Sequence, residues 1–342
     1  MGVRIGINGL GRIGRGFLRQ AARQDDLRVV AVNDLAGPAT LAHLLRHDSL
    51  FGRFELEVRA EDGLLRLGTA GPIRCTHASS PRDIPWGEAR VDLVLEATGA
   101  FTSRAAAAGH LASGVRRVIV TAPSPDADLT VCYGVNHALY DPERHRVVSN
   151  ASCTTNGMAV VLAAAEEAFG VERAAMTTVH CVTNNQVLMD APHSDPRRSR
   201  AAGISMIPTS TSAAAAIVQV MPALRGRVQA LAVRVPTAAV SLLDFTLLLR
   251  RPATLEAARA AFREAAETRL AGVLGYAEEE LVSIDYLGDT RSAVIDAPLL
   301  AFAGDGLLKI YAWYDNERGY VQRLLDLIRH MARRDPGGAG RD

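Results

Sequence analysis

Val3-Arg4-Ile5-Gly6-Ile7-Asn8, followed at once by Gly9-Leu10-Gly11-Arg12-Ile13-Gly14, is the stretch from which the rest of the chain is read. An apolar run ended by glycine reads as a strand, and Ile13, Phe17, Ala21 and Ala22 then recur on one helical face. Gly9 permits a tight turn, Gly11 lets backbone approach a pyrophosphate, and Gly14 lets helix and strand pack closely. The helix start adds free N–H groups and a positive dipole end. A glycine-rich turn alone serves many α/β proteins structurally; its position between strand and helix is what favours a dinucleotide. The second strand, Leu27–Val32, runs into Asn33-Asp34, and Asp34 stands twenty residues after Gly14. A carboxylate there meets a ribose 2′-hydroxyl and repels a 2′-phosphate, which selects NAD over NADP. Asp34 as a plain turn or cap residue is the competing reading, and the spacing favours the ribose.

Working outward, further strands are expected at Val91–Glu96 and Arg117–Thr121, each closed by a turn signal. Strands alternating with helices imply parallel βαβ units and a doubly wound sheet. The second half reads differently. A strand at Val147–Ser149 leads into a helix over about Thr154–Phe169, and longer strands follow at Ala175–Cys181, Val228–Val235, Ser241–Leu249 and Leu307–Tyr314, with a helix over about Leu255–Arg269. This pattern predicts an α+β domain with a mostly antiparallel sheet and helices on one face. The predicted organisation is a dinucleotide-binding Rossmann domain over 1–152, completed by a C-terminal helix at 317–335, and a catalytic domain over 153–316. Beyond Arg333, Asp335-Pro336-Gly337-Gly338 reads as a frayed tail. The polar, aperiodic stretch Asn184–Ser205 is a long loop of the kind that usually carries function.

The 342 residues are enough for two cores, and a net charge of +1 gives no sign of a nucleic-acid or membrane-surface partner. No apolar stretch reaches the ~18 residues of a membrane span, and the start of the chain reads directly into a strand rather than a leader, so cytoplasm is expected. No metal-ligand spacing stands out. The four cysteines, Cys75, Cys132, Cys153 and Cys181, form no CxxC pair and are read as free thiols. Three fit inert core positions. Cys153 differs: Ser149-Asn150-Ala151-Ser152-Cys153-Thr154-Thr155-Asn156 sets it among hydroxyls at a strand-to-helix junction, where the helix dipole favours the thiolate. His180, at the end of a β-rich run, is the candidate base, although a lone strand-end histidine is more often structural.

At Ser149–Asn156 the sequence resembles the phosphorylating, type I glyceraldehyde-3-phosphate dehydrogenase family, and the resemblance runs through Thr177–His180, Asp190–Ala202, Ile207–Thr211, Val233–Thr237 and Ala312–Tyr320. It implies that Cys153 attacks an aldehyde, that His180 is the general base, and that a thioester is then cut by inorganic phosphate. It implies that Thr183, Arg198 and Arg234 hold the substrate's phosphate, and that Ser152, Thr154, Thr211 and the Ser212 backbone N–H hold the attacking one. By the same resemblance Gly9, Gly11, Arg12, Ile13, Gly14, Asp34, Thr98, Phe101, Thr121, Asn316 and Tyr320 bind NAD, and the assembly is a homotetramer.

The sequence also departs from that family. Gly157 replaces a cysteine, Ser212 a glycine, and Arg318 a bulky apolar residue, while Asn185 and Val187 are unusual in the loop. These changes leave room for a specialised bacterial paralogue, serving arsenate detoxification or inhibitor resistance, or for erythrose 4-phosphate as substrate. A catalytically silent binding or regulatory homologue is the reading from a different class. Cys153, His180, Arg234 and Asn316 together speak against it.

Overall fold

In the computed structural model, which describes residues 2–69, 71–304 and 306–335, Val3–Asn8 is a strand and Arg12–Ala21 a helix. The tail expected at Pro336–Gly338 lies outside the described residues. The helix buries Gly14, Phe17, Leu18 and Ala21, a face shifted by one residue from the expected one, so Ile13 is only half-buried. The chain divides into two compact units: Met1–Val131, His137–Ala151 and Val321–Asp342 form the first, and Cys132–Asn136 with Ser152–Tyr320 the second.

The first unit is built on a nine-stranded sheet. Its order is Leu129–Thr130, Val147–Ser149, Arg117–Val120, Leu93–Glu96, Val3–Asn8, Leu27–Asn33, Ile73–Thr76, Leu64–Leu67, Val58–Glu61. The first seven strands run parallel and the last two turn back antiparallel. Val3–Asn8 is central, flanked by Leu27–Asn33 on one side and Leu93–Glu96 on the other. The connections leave in opposite directions there, so a crevice opens at the carboxyl ends of these strands, the place where such sheets bind ligands. Register puts Asn8 between Asn33 and Glu96 at that edge.

The second unit carries a sheet ordered Ile207–Thr209, Val228–Val235, Val171–Cys181, Ser241–Leu249, Leu307–Tyr314, Ala293–Asp296, Leu274–Ala277. Most pairings are antiparallel, but Val171–Cys181 runs parallel to Val228–Val235, and Ala293–Asp296 to Leu274–Ala277. Along Ser241–Leu249 burial alternates strictly, and its inward residues Leu243, Phe245 and Leu247 meet Ala312, Ile310 and Leu308 of the next strand. That apolar face receives the helix Cys153–Phe169, most of which is buried, along with Ala213–Val220 and Leu255–Glu267. Each unit holds one tryptophan: Trp86 is buried and donates to His110, whereas Trp313 stacks on Tyr286 and donates to Asp296.

Candidate active site

In the first unit the three glycines of the opening motif have separate physical reasons. Gly9 has φ of +93°, and a Cβ there would sit 2.8 Å from the Thr98 backbone nitrogen. At Gly14 a Cβ would fall 2.1 Å from the Gly9 carbonyl oxygen, which no relaxation of a side chain could relieve. Around Gly11 nothing lies within 4 Å of the added carbon, so the turn is open on the side a phosphate would approach. Asp34 is tied into this turn: its carboxylate accepts from the Leu10 N–H at 2.8 Å and the Ala36 N–H at 2.9 Å. The turn role weighed against the ribose role is therefore real, and the two are compatible because a carboxylate has further lone pairs. Arg12 directs its guanidinium to Asp48 at 2.6 Å.

Beside that turn lies a buried polar chain absent from the sequence reading. The Glu96 carboxylate, 1% exposed, accepts from Asn8 Nδ2 at 2.6 Å, His110 Nε2 at 2.9 Å and the Thr98 backbone at 2.9 Å, and also from the Thr98 hydroxyl. Trp86 Nε1 donates to His110 Nδ1 at 3.0 Å. Indole can only donate, so Nδ1 of His110 accepts and Nε2 carries the proton toward Glu96. Both neighbours agree on one tautomer. Thr121 joins the same edge through its hydroxyl, 3.1 Å from the Glu96 carbonyl, and Phe101 is half-buried nearby in sequence.

In the second unit the Cys153 helix starts as the sequence suggests, one residue earlier than expected. Ser152 is its N-cap, with Oγ accepting from the Thr155 N–H at 3.0 Å. Ala151, just before it, holds a left-handed φ of +52°, an uncommon state for alanine. Cys153 Sγ is 3.7 Å from His180 Nε2. Cross-strand register supplies the next partner: His180 is paired with Arg234, and alternate residues Thr178 and His180 share the buried face. Arg234 Nη1 lies 2.5 Å from His180 Nδ1 and donates to the Cys181 carbonyl at 3.1 Å. The Cys181 carbonyl is itself 2.7 Å from the same His180 nitrogen.

Burial, then the neighbouring Arg234 cation, push His180 down to about 3, so the ring is neutral at ordinary pH and able to accept a proton. For Cys153 the expectation of a lowered pKa fails in direction. Burial raises it, while Arg234 and hydrogen bonds at the helix start pull only part of the way back. The nucleophile is thus a thiol beside a neutral imidazole at rest. Burial pushes Cys75 and Cys181 up to about 11 and raises Cys132 too.

The remaining expected residues belong to the same unit. Thr154 is buried and shares a 2.9 Å hydrogen bond with Tyr314, whose hydroxyl also meets Thr178 at 2.8 Å. In the sequence Tyr314 figures only as a strand residue and as part of the matched stretch Ala312–Tyr320, with no role of its own. Arg198 donates to the Thr209 hydroxyl at 2.7 Å and lies 3.6 Å from Asp195, so it is anchored to the strand Ile207–Thr209. Thr211 accepts from the Ala213 N–H at 3.2 Å; Ser212 is exposed with an ordinary right-handed φ of −78°, so the glycine usual in the family is not required there for conformation. Thr183 donates to Gln186 at 3.0 Å. Asn316 Oδ1 accepts from the Cys181 thiol at 3.0 Å, which gives that supposed filler a contact with a proposed ligand-binding amide. Tyr320 is buried. Asp315 holds the turn by accepting from the Gly288, Glu317 and Arg318 N–H groups. Among the described residues no cluster of three or more His, Cys, Asp or Glu is arranged to hold a metal ion.

Residues 3–104 match the family model described as the glyceraldehyde 3-phosphate dehydrogenase NAD binding domain, and residues 152–316 the C-terminal domain of the same enzyme. The chain is 47% identical over 328 residues to glyceraldehyde-3-phosphate dehydrogenase 1 of Bacillus cereus, covering 96% of this chain and 98% of that protein. It is 48% identical over 328 residues to glyceraldehyde-3-phosphate dehydrogenase 1 of Streptomyces avermitilis, with the same two coverages. Against the Geobacillus stearothermophilus glyceraldehyde-3-phosphate dehydrogenase the identity is 46% over 332 residues, 97% of this chain and 99% of that protein.

Proposed function

The chain belongs to the glyceraldehyde 3-phosphate dehydrogenase family, and from that premise we propose that it catalyses the NAD-dependent oxidative phosphorylation of glyceraldehyde 3-phosphate to 1,3-bisphosphoglycerate. The observation that carries the reading is Cys153 at a capped helix start, 3.7 Å from the Nε2 of a neutral, buried His180, with Arg234 beside it.

The open turn at Gly11, closed on either side by Gly9 and Gly14, fits a pyrophosphate, and Asp34 fits a ribose diol. We assign Gly9, Gly11, Arg12, Ile13, Gly14, Asp34, Thr98, Phe101 and Thr121 to NAD, with Asn316 and Tyr320 toward its nicotinamide end. NAD supplies the hydride acceptor when bound. In the proposed sequence Cys153 Sγ bonds to the aldehyde carbon and its proton passes to the carbonyl oxygen. His180 Nε2 takes the hydroxyl proton as the carbon is oxidised to a thioester. An inorganic phosphate oxygen then attacks that carbon, the carbon–sulfur bond breaks, and the acyl phosphate leaves. Arg198, Arg234 and Thr183 are assigned to the substrate phosphate, and Ser152, Thr154, Thr211 and the Ser212 N–H to the incoming one.

A homotetramer is part of the proposal. It is supported by the exposure of Leu188, Met189, Ile204 and Met206 on and beside the long loop, each at least 74% exposed, which is unusual for large apolar side chains on a lone subunit. No helix among the described residues is long and apolar enough to cross a membrane, and the four free thiols suit the reducing cytoplasm. The test is a steady-state assay of the pure protein with glyceraldehyde 3-phosphate and erythrose 4-phosphate, each with phosphate, arsenate or neither. Faster turnover of erythrose 4-phosphate, or oxidation indifferent to the anion, would overturn the assignment.

A further inference from the structure

The buried polar side chains beneath the crevice of the first unit form one line, and each hydrogen bond along it has a fixed direction. Asn33 starts it. The Ala78 N–H donates to Asn33 Oδ1 at 2.9 Å and the Ala78 carbonyl accepts from Asn33 Nδ2 at 2.9 Å, so backbone sets which way this amide faces. Thr76 adds its hydroxyl to Asn33 Oδ1 at 2.8 Å. Asn33 Nδ2 also donates to Asn8 Oδ1 at 2.8 Å, which turns Asn8 Nδ2 onto Glu96 Oε2 at 2.6 Å. From the other end, Trp86 fixes His110 so that its Nε2 donates to the same Glu96 oxygen. The second oxygen, Oε1, receives the Thr98 backbone N–H and hydroxyl. Asn8, Asn33, Glu96 and His110 are each at most 3% exposed.

Three groups with no freedom to turn, the Ala78 backbone, the Trp86 indole and the Thr98 backbone, thus send donors inward to a single residue. Both oxygens of Glu96 accept, the pattern of a carboxylate, which never donates. An amide of the same shape fails in either orientation: its NH2 meets Asn8 and His110 on one side, or the Thr98 N–H on the other. The carboxylate also lies where the sheet changes direction. Asn8 ends one central strand and leads into Gly9, and Glu96 ends its neighbour and leads toward Thr98. One oxygen holds each lip. The lips approach closely, since the Ala97 N–H donates to the Asn8 carbonyl at 2.7 Å and the bare Gly9 leaves room for the Thr98 nitrogen. The Gly9 N–H donates to the Asn33 carbonyl at 2.8 Å, which joins the strand end that carries Asp34.

We infer that Glu96 is a positioning residue for the dinucleotide: its carboxylate laces the Gly9–Gly14 turn to the Thr98 loop and sets the shape of the crevice before the cofactor arrives. The inference rests on the reading of this crevice as the NAD site. It gives Glu96, His110 and Trp86 no contact with the cofactor. A crevice laced in advance spares binding the cost of ordering two loops, so loss of the lace shows in affinity. A residue that only filled the core would show in the melting temperature and leave the affinity of the folded protein alone.

The experiment is calorimetric titration of the protein with NAD, at a temperature where circular dichroism shows each variant folded. Glu96→Gln keeps the volume and should weaken NAD about tenfold or more, the effect of one buried hydrogen bond to a charged group left unmade. Iodoacetamide labelling of Cys153 in the cofactor-free protein should keep the wild-type rate, because that thiol belongs to the other unit. Adding Asn8→Asp places an acceptor opposite the new amide and should recover part of the lost affinity, with His110 alone still mismatched. Equal affinity in wild type and Glu96→Gln, no recovery on adding Asn8→Asp, or a labelling rate that changes as much as the affinity refutes the lacing. Should Glu96→Gln not fold, amide exchange of the cofactor-free wild type decides: the Ala97 and Thr98 N–H groups must exchange as slowly as those of Leu93–Glu96, and fast exchange overturns the inference. A wild type that binds NAD beside an unaffected Glu96→Gln keeps the dehydrogenase reading and removes the lacing. A wild type that binds no dinucleotide overturns both.

Discussion

Replacing Gly157 by alanine sets two effects of opposite sign against each other. Gly157 lies one turn inside the Cys153–Phe169 helix, and helix propensity alone favours alanine by about 1 kcal/mol. The surroundings oppose it. A Cβ at 157 would lie 2.9 Å from the Ser292 carbonyl oxygen and 3.0 Å from Leu243 Cδ1, against an ordinary contact of about 3.5–4.0 Å. Ser292 presents backbone and Leu243 is fully buried, so neither can step aside cheaply. Overpacking of this kind costs about 1–3 kcal/mol. The net expectation is a loss of about 1 kcal/mol, which for a unit of the size that holds Gly157, Cys132–Asn136 with Ser152–Tyr320, lowers Tm by about 2–4 °C. Relief by shifting the helix would move Cys153 from His180, so kcat should fall as well. Differential scanning calorimetry of the cofactor-free protein and an activity assay on the same samples test both parts. A raised Tm would mean that propensity wins and that the close approach of helix to strand is not real. Gly157→Cys, which restores the residue usual in the family, should be worse than alanine because it adds a sulfur at the same place.

Three further outcomes follow from the site. Asp34→Asn should weaken NAD binding and narrow the preference over NADP, because an amide keeps one acceptor oxygen for two N–H groups and leaves one unmade bond of about 1–3 kcal/mol; unchanged kinetics with both cofactors would remove Asp34 from the ribose. Iodoacetamide should label Cys153 before Cys75, Cys132 and Cys181, and Cys153→Ser should abolish oxidation while NAD still binds; fastest labelling at Cys75 with activity retained would sink the assignment. Thermal stability should decline as pH drops from about 6.5 toward 4, because His330 is held down to about 4, His180 to about 3 and His137 also below its free value, so the unfolded chain binds protons the native one refuses; a Tm that is flat or rises over that range contradicts this, and His330→Asn should shallow the slope.

The parts legible in the sequence are those fixed by local patterns. Gly9, Gly11 and Gly14 announce a strand, turn and helix because each answers a steric need within a few residues, and Ser152 announces a helix start because its hydroxyl reaches only three residues ahead. Long-range pairing was not legible. Nothing local says that Val171–Cys181 runs parallel to Val228–Val235, yet that register is what sets Arg234 against His180. The direction of the Cys153 pKa was misjudged for the same reason, since burial depends on neighbours that a linear reading cannot supply. One signal was present and unread: Asp62-Gly63, both at positive φ, joins Val58–Glu61 to Leu64–Leu67 as a two-residue hairpin.

The placement of the two tryptophans gives each unit its own optical reporter. Trp86 sits in a dry apolar cluster with its N–H committed to a neutral imidazole, while Trp313 is half-exposed and donates to a carboxylate under a stacked phenol. Their emission should therefore differ, and Trp86→Phe and Trp313→Phe would each leave a protein that reports on one unit alone. Denaturant titrations of such a pair would show whether the nucleotide-binding and thiol-bearing halves lose structure together or one after the other, a question a single melting curve of the whole chain averages away.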